Sequence, residues 1–409
     1  MQSNDSDNPS YRWVILGITW VIYFVFGNIL VCIAPLVTPI RSELSLSDTQ
    51  VGFILGTVLL IYVFTAYPMG LLIDRIGSKK AISIALFLSF VSMFVRSFAF
   101  DFYSLLGGVI IFGFGGPIIS VGLPKLLDPW FSSKDRGIAS GIYISGSAAG
   151  AAFILALTNS VIIPLVGTWR NCFMLLGVAA IVALGLLLFL GKETPHSFKL
   201  DNKKTVDERV SFTEIITRLL KHRNIKIILF TGTTFFLGTH GLNNWLPQIF
   251  ESKGMTPEVA GSLASSVCIF SIFGALIIPK VSDLIGSRKN VMILMSLGCG
   301  SSLFLIEVTS LPFAWIGLIV AGICFGGMLP ISILMLMESP EIKKKYLGGA
   351  IGIFFSVGEI GGFVGPFLMG FLKDLTNSFF IGMLILAVVM MSAAVFMMMH
   401  YREQKLVKP

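Results

Sequence analysis

Apolar runs of about 20 residues recur from Trp13 almost to the end of this sequence, with short polar stretches between them. A helix needs roughly 20 residues to cross the hydrocarbon core of a bilayer. Only 13% of the residues are charged, whereas soluble domains carry roughly 25%. The pattern excludes an ordinary soluble domain and predicts an all-α integral membrane protein.

The positions of the apolar runs predict the number of membrane spans. Twelve helices are expected, at 13–37, 50–73, 81–99, 103–127, 137–162, 171–190, 225–249, 257–280, 290–308, 311–335, 348–371 and 376–400. An even number of spans places both termini on one side of the membrane.

Lysine and arginine residues are distributed unevenly between alternate connections. One side collects most of them, and the other carries only Arg41, Arg170, Lys253 and Lys373. Because cytoplasmic loops are enriched in Lys and Arg, we predict a multi-pass protein of the cell membrane with both termini in the cytoplasm. Positive charges confined to loops also argue against a nucleic-acid partner.

A long polar connection at 191–224 divides the sequence into an N-terminal six-helix half, 1–190, and a C-terminal six-helix half, 225–409. Ser211 and Glu214 have the spacing of a capping box. Apolar residues at helical spacing follow, at Phe212, Ile215, Ile216, Leu219 and Leu220. We predict a cytoplasmic linker that contains an amphipathic helix on the membrane surface.

The two halves contain the same short motifs. The segment 70–80, GLLIDRIGSKK, recurs as 279–289, PKVSDLIGSRK, an offset of 289 − 80 = 209. FGG at 114–116 recurs at 325–327, and GIYIS at 141–145 matches GIFFS at 352–356, both at an offset of 211. The halves are therefore predicted to be parallel repeats related by a pseudo-two-fold axis along the membrane normal.

The connection between the second and third spans resembles a motif of the major facilitator superfamily, G-x-x-x-D-R-x-G-R-R/K. Its residues here are Gly70, Asp74, Arg75, Gly77 and Lys79, with Ser78 in place of the usual arginine. The resemblance implies a transporter with this family's fold. It also implies gating roles for Gly70, Asp74, Arg75 and Gly77, and for their repeat counterparts Asp283, Gly286 and Arg288. Asp74 is expected to face a neighbouring helix N-terminus and a cytoplasmic arginine such as Arg136.

Within this superfamily the sequence is similar to cyanate permeases and nitrate/nitrite porters. The similarity lies in the segments 96–97, 113–117, 123–124, 130–131 and 245–247. Nitrate porters hold an arginine inside the second and eighth helices, and the corresponding spans here contain none. This difference argues against an inorganic anion as substrate.

Glu359 is the one acidic residue predicted near the middle of the membrane. Charged groups at that depth are costly, and they usually face the interior of a helix bundle and serve a function. We predict that Glu359 carries a coupling proton. The alternative is a protonated glutamate with a purely structural hydrogen bond.

Polar residues in the first and seventh spans are candidates for substrate contacts. His240, Asn243 and Asn244 share one helix face, and His240 corresponds to Asn28 in the repeat. These helices line the pathway in the superfamily, so all four residues are predicted to bind substrate. Interhelical hydrogen bonds for the asparagines and an interfacial histidine are the alternatives.

No catalytic constellation, Walker A pattern or CxxC pair occurs in the sequence, so neither an enzyme nor a direct ATP-driven pump is predicted. No cofactor or metal is expected. The predicted function is secondary active transport of a small anionic or polar organic solute by alternating access, with proton symport, in a monomer surrounded by the lipid bilayer. An exporter or exchanger of organic compounds and a non-transporting substrate sensor remain the alternatives.

Overall fold

In the computed structural model of the chain, the described residues are 10–132, 135–193, 217, 219–308, 311–342 and 347–403. Within these ranges twelve helices are long and apolar enough to cross a membrane, which confirms the predicted all-α membrane fold. The predicted capping box at Ser211 and Glu214 lies outside the described residues.

We number these helices α1 to α12 in chain order. They are Tyr11–Val31, Asp48–Ile76, Ser78–Ser97, Phe102–Leu127, Arg136–Leu157, Trp169–Leu190, Arg223–Ser252, Pro257–Ile285, Arg288–Val308, Leu311–Met337, Leu347–Thr376 and Phe380–His400. A short helix, Val37–Leu44, follows α1 after one 3-10 turn.

Several helices begin or end beyond the apolar runs, because hydrogen bonds at the caps set their ends. Ser47 and Gln50 form a capping box that starts α2 at Asp48, two residues before the predicted span. Gly77 ends α2 with a φ of 89°, and Gly286 ends α8 with a φ of 72°. Only glycine adopts such angles readily, so both motif glycines permit the tight turn into the next helix.

The two halves repeat one packing pattern. In the N-terminal half α1 packs on α5, α2 on α4, and α3 on both α4 and α6. In the C-terminal half α7 packs on α11, α8 on α10, and α9 on both α10 and α12. Glycines allow the closest approaches. A Cβ atom at Gly150 would overlap the carbonyl oxygen of Phe24, and one at Gly361 would overlap that of Thr233. These paired contacts follow the sequence repeat.

The halves contact each other through α2 with α11 and through α5 with α8. Helices α2 and α11 run antiparallel, so the start of each lies near the end of the other. We call the side where α1 begins and α12 ends the terminal face, and the other side the opposite face. On the terminal face, Arg12 pairs with Asp135 at 3.2 Å, and Asn224 donates to the carbonyl oxygen of Arg402 at 3.0 Å.

Candidate functional site

A cavity of about 780 Å³ lies between the two halves. Its inner end is bordered by His240 and Glu359, and its outer rim by Gly70, Asp74 and Lys125, close to the ends of α2 and α4. The rim side chains of Asp74 and Lys125 are 54% and 38% exposed. The cavity therefore extends from the middle of the bundle to the terminal face.

At the opposite face, close packing of α2 against α11 seals the path. A Cβ atom at Gly52 would lie 2.5 Å from the carbonyl oxygen of Pro366, and one at Gly56 would lie 2.7 Å from that of Phe363. Between these glycines, the ring of Phe53 packs edge-on against Phe363, with 5.6 Å between ring centroids. Only the absence of side chains at the two glycines lets the backbones approach so closely.

Polar contacts between the halves strengthen this closure. The carboxylate of Asp374 accepts hydrogen bonds from the backbone N–H groups of Asp48 at 3.0 Å and Thr49 at 2.7 Å. The amide of Gln248 donates to the carbonyl oxygen of Ala34 at 2.7 Å. Because these contacts join the two halves, they can exist only while the opposite face is closed.

The same two helices separate toward the terminal face. A Cβ atom at Gly370, near the end of α11, would overlap the carbonyl oxygen of Asp48. At Gly348 and Gly352, near its start, a Cβ atom would meet nothing within 4 Å. Helices α2 and α11 thus form a wedge that is closed at one end and open at the other.

His240 and Glu359 form a buried pair at the inner end of the cavity. Nε2 of His240 lies 3.7 Å from Oε2 of Glu359, and their side chains are 18% and 9% exposed. Glu359 occupies the middle of the 30-residue helix α11. Oε2 of Glu359 is buried and has no hydrogen-bond partner among the described residues. Because Oε2 of Glu359 makes no hydrogen bond to the described residues, the pair can take up or release a proton without breaking a structural hydrogen bond at that atom.

Of the four residues predicted to contact substrate, the structure places only His240 on the cavity wall. Asn28 and Asn244 are buried, and their amides donate to the carbonyl oxygens of Phe24 and His240, four residues earlier on the same helix. Asn243 is partly buried and is also absent from the wall. In this conformation the amides of Asn28 and Asn244 bond to their own helices, because an amide at membrane depth needs a nearby partner.

The motif residues lie at the terminal face, but the partner expected for Asp74 is different. Lys125, on α4 of the same half, donates to the Asp74 carboxylate at 2.5 Å. Arg136 pairs instead with Asp128 at 3.0 Å. Arg75 is exposed at the end of α2. The expected contact of Asp74 with Arg136 is therefore absent in this conformation, where each residue has another partner, and for the other access state it stays a prediction.

The repeat motif in the C-terminal half forms a second charged cluster. Arg288 pairs with Asp283 at 2.6 Å and with Glu338 at 2.8 Å. Arg288 is buried, and Gly286 provides the turn that brings it toward Asp283. This cluster joins the turn between α8 and α9 to the end of α10, within one half.

Sequence reasoning missed several residues that form the site. The wall of the cavity includes the aromatic residues Tyr23, Phe26, Tyr62, Tyr143, Phe236 and Phe355. Single aromatic residues in apolar helices give no periodic signal that separates the cavity wall from lipid-facing positions. Asp374 was also missed, because an acid at the C-terminal end of its own helix gives no sequence signal that it caps the start of another helix.

Comparisons with known proteins agree with this architecture. A sequence model of the Major Facilitator Superfamily matches residues 19–366 and 228–409. The uncharacterised transporter YycB of Bacillus subtilis (strain 168) is 24% identical over 93% of this chain and 92% of its own length. The hexuronate transporter of the same organism is 25% identical over 83% of each chain. The crystal structure of a D-xylose-proton symporter superimposes with a TM-score of 0.76 at 16% identity, covering 96% of this chain and 98% of the other.

Proposed function

Because this chain belongs to the Major Facilitator Superfamily and is a multi-pass membrane transporter, we propose that it carries a small polar or anionic organic solute together with a proton. The observation that carries the proposal is a cavity that ends at the buried His240–Glu359 pair and reaches only one face. A similarity to a hexuronate transporter supports an organic acid as the solute.

The side on which the cavity opens follows from the distribution of charge. Lys and Arg are concentrated in the connections at the terminal face, and cytoplasmic loops are enriched in these residues. We therefore assign the terminal face to the cytoplasm and this conformation to the inward-open state. The N-terminal and C-terminal halves would be the two rigid bodies that move, with the linker between them at the cytoplasmic side.

The antiparallel helices α2 and α11 provide a reciprocal pair of closures. At the opposite face Asp374, near the end of α11, caps the start of α2. At the terminal face Asp74, near the end of α2, occupies the equivalent place. Here the start of α11 is not packed closely, and the carboxylate of Asp74 pairs with Lys125 instead. Closure at the terminal face would let Asp74 approach the N-terminus of α11, where its charge is favoured by the helix dipole.

The His240–Glu359 pair is the proposed coupling site, because it is the acid–base pair among the described residues that borders the inner end of the cavity. No Walker A pattern is present, so the energy for accumulation would come from an ion gradient. Export by exchange and ligand sensing are the competing functions: exchange moves the proton in the direction opposite to the solute, and a sensor moves neither.

The test uses the purified protein in liposomes that contain a pH-sensitive dye. Organic acids are added outside one at a time at constant external pH, and protein-free liposomes correct for passive entry of the neutral acid. Symport predicts protein-dependent acidification of the lumen and accumulation under an inward proton gradient. Alkalinisation would indicate exchange, and binding without flux would indicate a sensor; either result would contradict the proposal.

A further inference from the structure

We propose that the solute is a monocarboxylate with an apolar or aromatic body, and not a dicarboxylate, a polyhydroxylated acid or an amine. The inference rests on the proposed symport and refines its substrate class. It follows from the number, position and partners of the charged groups that border the cavity.

The first step is a count of charges. Among the described residues that line the cavity, the basic ones are Lys125 and His240, and the acidic ones are Asp74 and Glu359. Lys125 is already paired with Asp74 at the rim, at 2.5 Å. Of the cavity-lining residues that the structure describes, His240 and Glu359 are therefore the only ionisable acid and base available at the inner end, and one imidazolium can compensate one carboxylate. A second carboxylate would remain unpaired at membrane depth, which is costly.

The second step concerns the order of the two groups along the path. His240 is twice as exposed as Glu359, at 18% against 9%. A Cβ atom at Gly362 would overlap Oε2 of Glu359 and would lie 3.2 Å from Cδ2 of His240, so the carboxylate lies closer than the imidazole to the backbone of α11. The imidazole is thus the group presented to a ligand, and the carboxyl lies behind it. An incoming carboxylate would contact His240, whereas an ammonium group would have to pass the imidazole to reach Glu359.

The third step is the balance of protons. In the empty site one proton is shared by His240 and Glu359, as either an ion pair or a neutral pair, and the net charge is zero. Adding one proton and one monocarboxylate gives an imidazolium, a neutral carboxyl and a bound carboxylate, again with net charge zero. Among the described residues, the other titratable groups of the cavity wall on α1, α2 and α5, apart from the rim pair Asp74–Lys125, are phenols that are neutral near pH 7: Tyr23, Tyr62, Tyr67 and Tyr143.

The same balance of charge and protons distinguishes a monocarboxylate from a dicarboxylate and from an amine. A dicarboxylate would leave the loaded site with one uncompensated negative charge. An amine would replace the proton at Glu359, which produces exchange instead of symport. Only the monocarboxylate satisfies both the charge of the site and the proposed direction of proton movement.

The walls define the body of the solute. Phe236 stacks on the imidazole of His240, with 6.0 Å between ring centroids, and Tyr23 stacks on Phe26 at 5.3 Å. The hydroxyl groups of Tyr62 and Ser120 are 3.2 Å apart and bond to each other. Most side chains of the wall are aliphatic or aromatic, and flat aromatic surfaces favour an apolar or aromatic body over a chain of hydroxyl groups.

The test is thermal stabilisation of the purified protein by five compounds. They are phenylacetate, the dicarboxylate 1,4-phenylenediacetate, phenethylamine, neutral phenylacetamide and the polyhydroxylated acid glucuronate. Phenylacetate is expected to raise the melting temperature by at least about 2 °C, and more than any of the others. His240→Gln should remove that increase, and His400→Gln, outside the cavity, should keep it.

Glu359→Gln mimics the protonated acid and should retain stabilisation by phenylacetate. Comparison with His240→Gln then shows whether the loss in that variant comes from removing the charge that binds the carboxylate or from general damage to the site. An equal or larger effect of the dicarboxylate, the amine or glucuronate would overturn the proposed class, as would no effect of phenylacetate. If phenylacetate stabilises the protein but no bound acid crosses proteoliposomes, the class stands and the proposed transport function fails.

Discussion

Asp374, near the end of α11, caps the first turn of α2 by accepting hydrogen bonds from both the backbone N–H and the hydroxyl group of Thr49. The two residues are separated by 325 positions and belong to different halves. An acid at a helix N-terminus is favoured by the unpaired N–H groups and by the helix dipole. This contact therefore stabilises closure of the opposite face.

Asp374→Ala should shift the protein toward conformations that are open at the opposite face. Charge-assisted hydrogen bonds contribute on the order of 1–3 kcal/mol, so a change of roughly fivefold or more in the ratio of states is expected. The measurement is labelling of Phe53→Cys by a membrane-impermeant thiol reagent, since all five native cysteines are buried. Asp101→Ala is the control, because Asp101 caps the start of its own helix, α4. Unchanged labelling would show that Asp374 does not stabilise closure of the opposite face.

Gly370→Ala should have the same effect through steric repulsion. The new Cβ atom would overlap the backbone carbonyl of Asp48, so α2 and α11 cannot keep their present separation. Gly17→Ala is the matched control, because a Cβ atom there meets nothing within 4 Å. Faster labelling of Phe53→Cys is expected with Gly370→Ala and not with Gly17→Ala. Equal labelling in both variants would show that close packing at Gly370 does not hold this face closed.

Asp74→Asn should slow transport and leave folding, membrane insertion and solute affinity unchanged. In this conformation Asp74 makes only a half-exposed pair with Lys125, which contributes about 0–1 kcal/mol. The proposed loss occurs in the other state, where Asp74 would face the start of α11. Asp128→Asn removes a comparable pair with Arg136 and is the control. Transport by Asp74→Asn at the wild-type rate would contradict the gating role.

Cysteine accessibility should follow one face of α7. His240→Cys is expected to react with a water-soluble thiol reagent added from the terminal face and to be protected by bound solute, because His240 lines the cavity. Phe235→Cys should react slowly, since Phe235 is buried against Phe325. Asn244→Cys should also react slowly, since Asn244 is buried. Similar rates at all three positions would exclude the orientation of α7 described above.

Glu359→Gln should abolish accumulation driven by a pH gradient while solute binding and exchange persist. The amide keeps the shape of the protonated acid but cannot release a proton, so the carrier cannot complete the proton-coupled cycle. Uptake is measured in proteoliposomes with and without an inward proton gradient. Glu258→Gln, on an exposed residue at the start of α8, is the control. Unaltered pH-driven uptake would make Glu359 a structural residue.

Part of the site was visible in the sequence. Glu359 was found because an acid in the middle of an apolar run is rare and costly. His240 was found with it, but helical spacing alone grouped His240 with Asn243 and Asn244, which the structure places away from the cavity wall. Spacing determines which residues share a helix face, but it does not show how far the neighbouring helices cover that face.

The sequence by itself determined the number of spans, the repeat and the location of the motif turns, because bilayer thickness and backbone hydrogen bonding act locally along the chain. Only the tertiary structure decided that Lys125 pairs with Asp74, that Asp374 caps α2, and that the cavity reaches one face. These features depend on how the two halves and their helices are packed together. A movement of a few ångströms would exchange such contacts without any change in the pattern of apolar and polar residues.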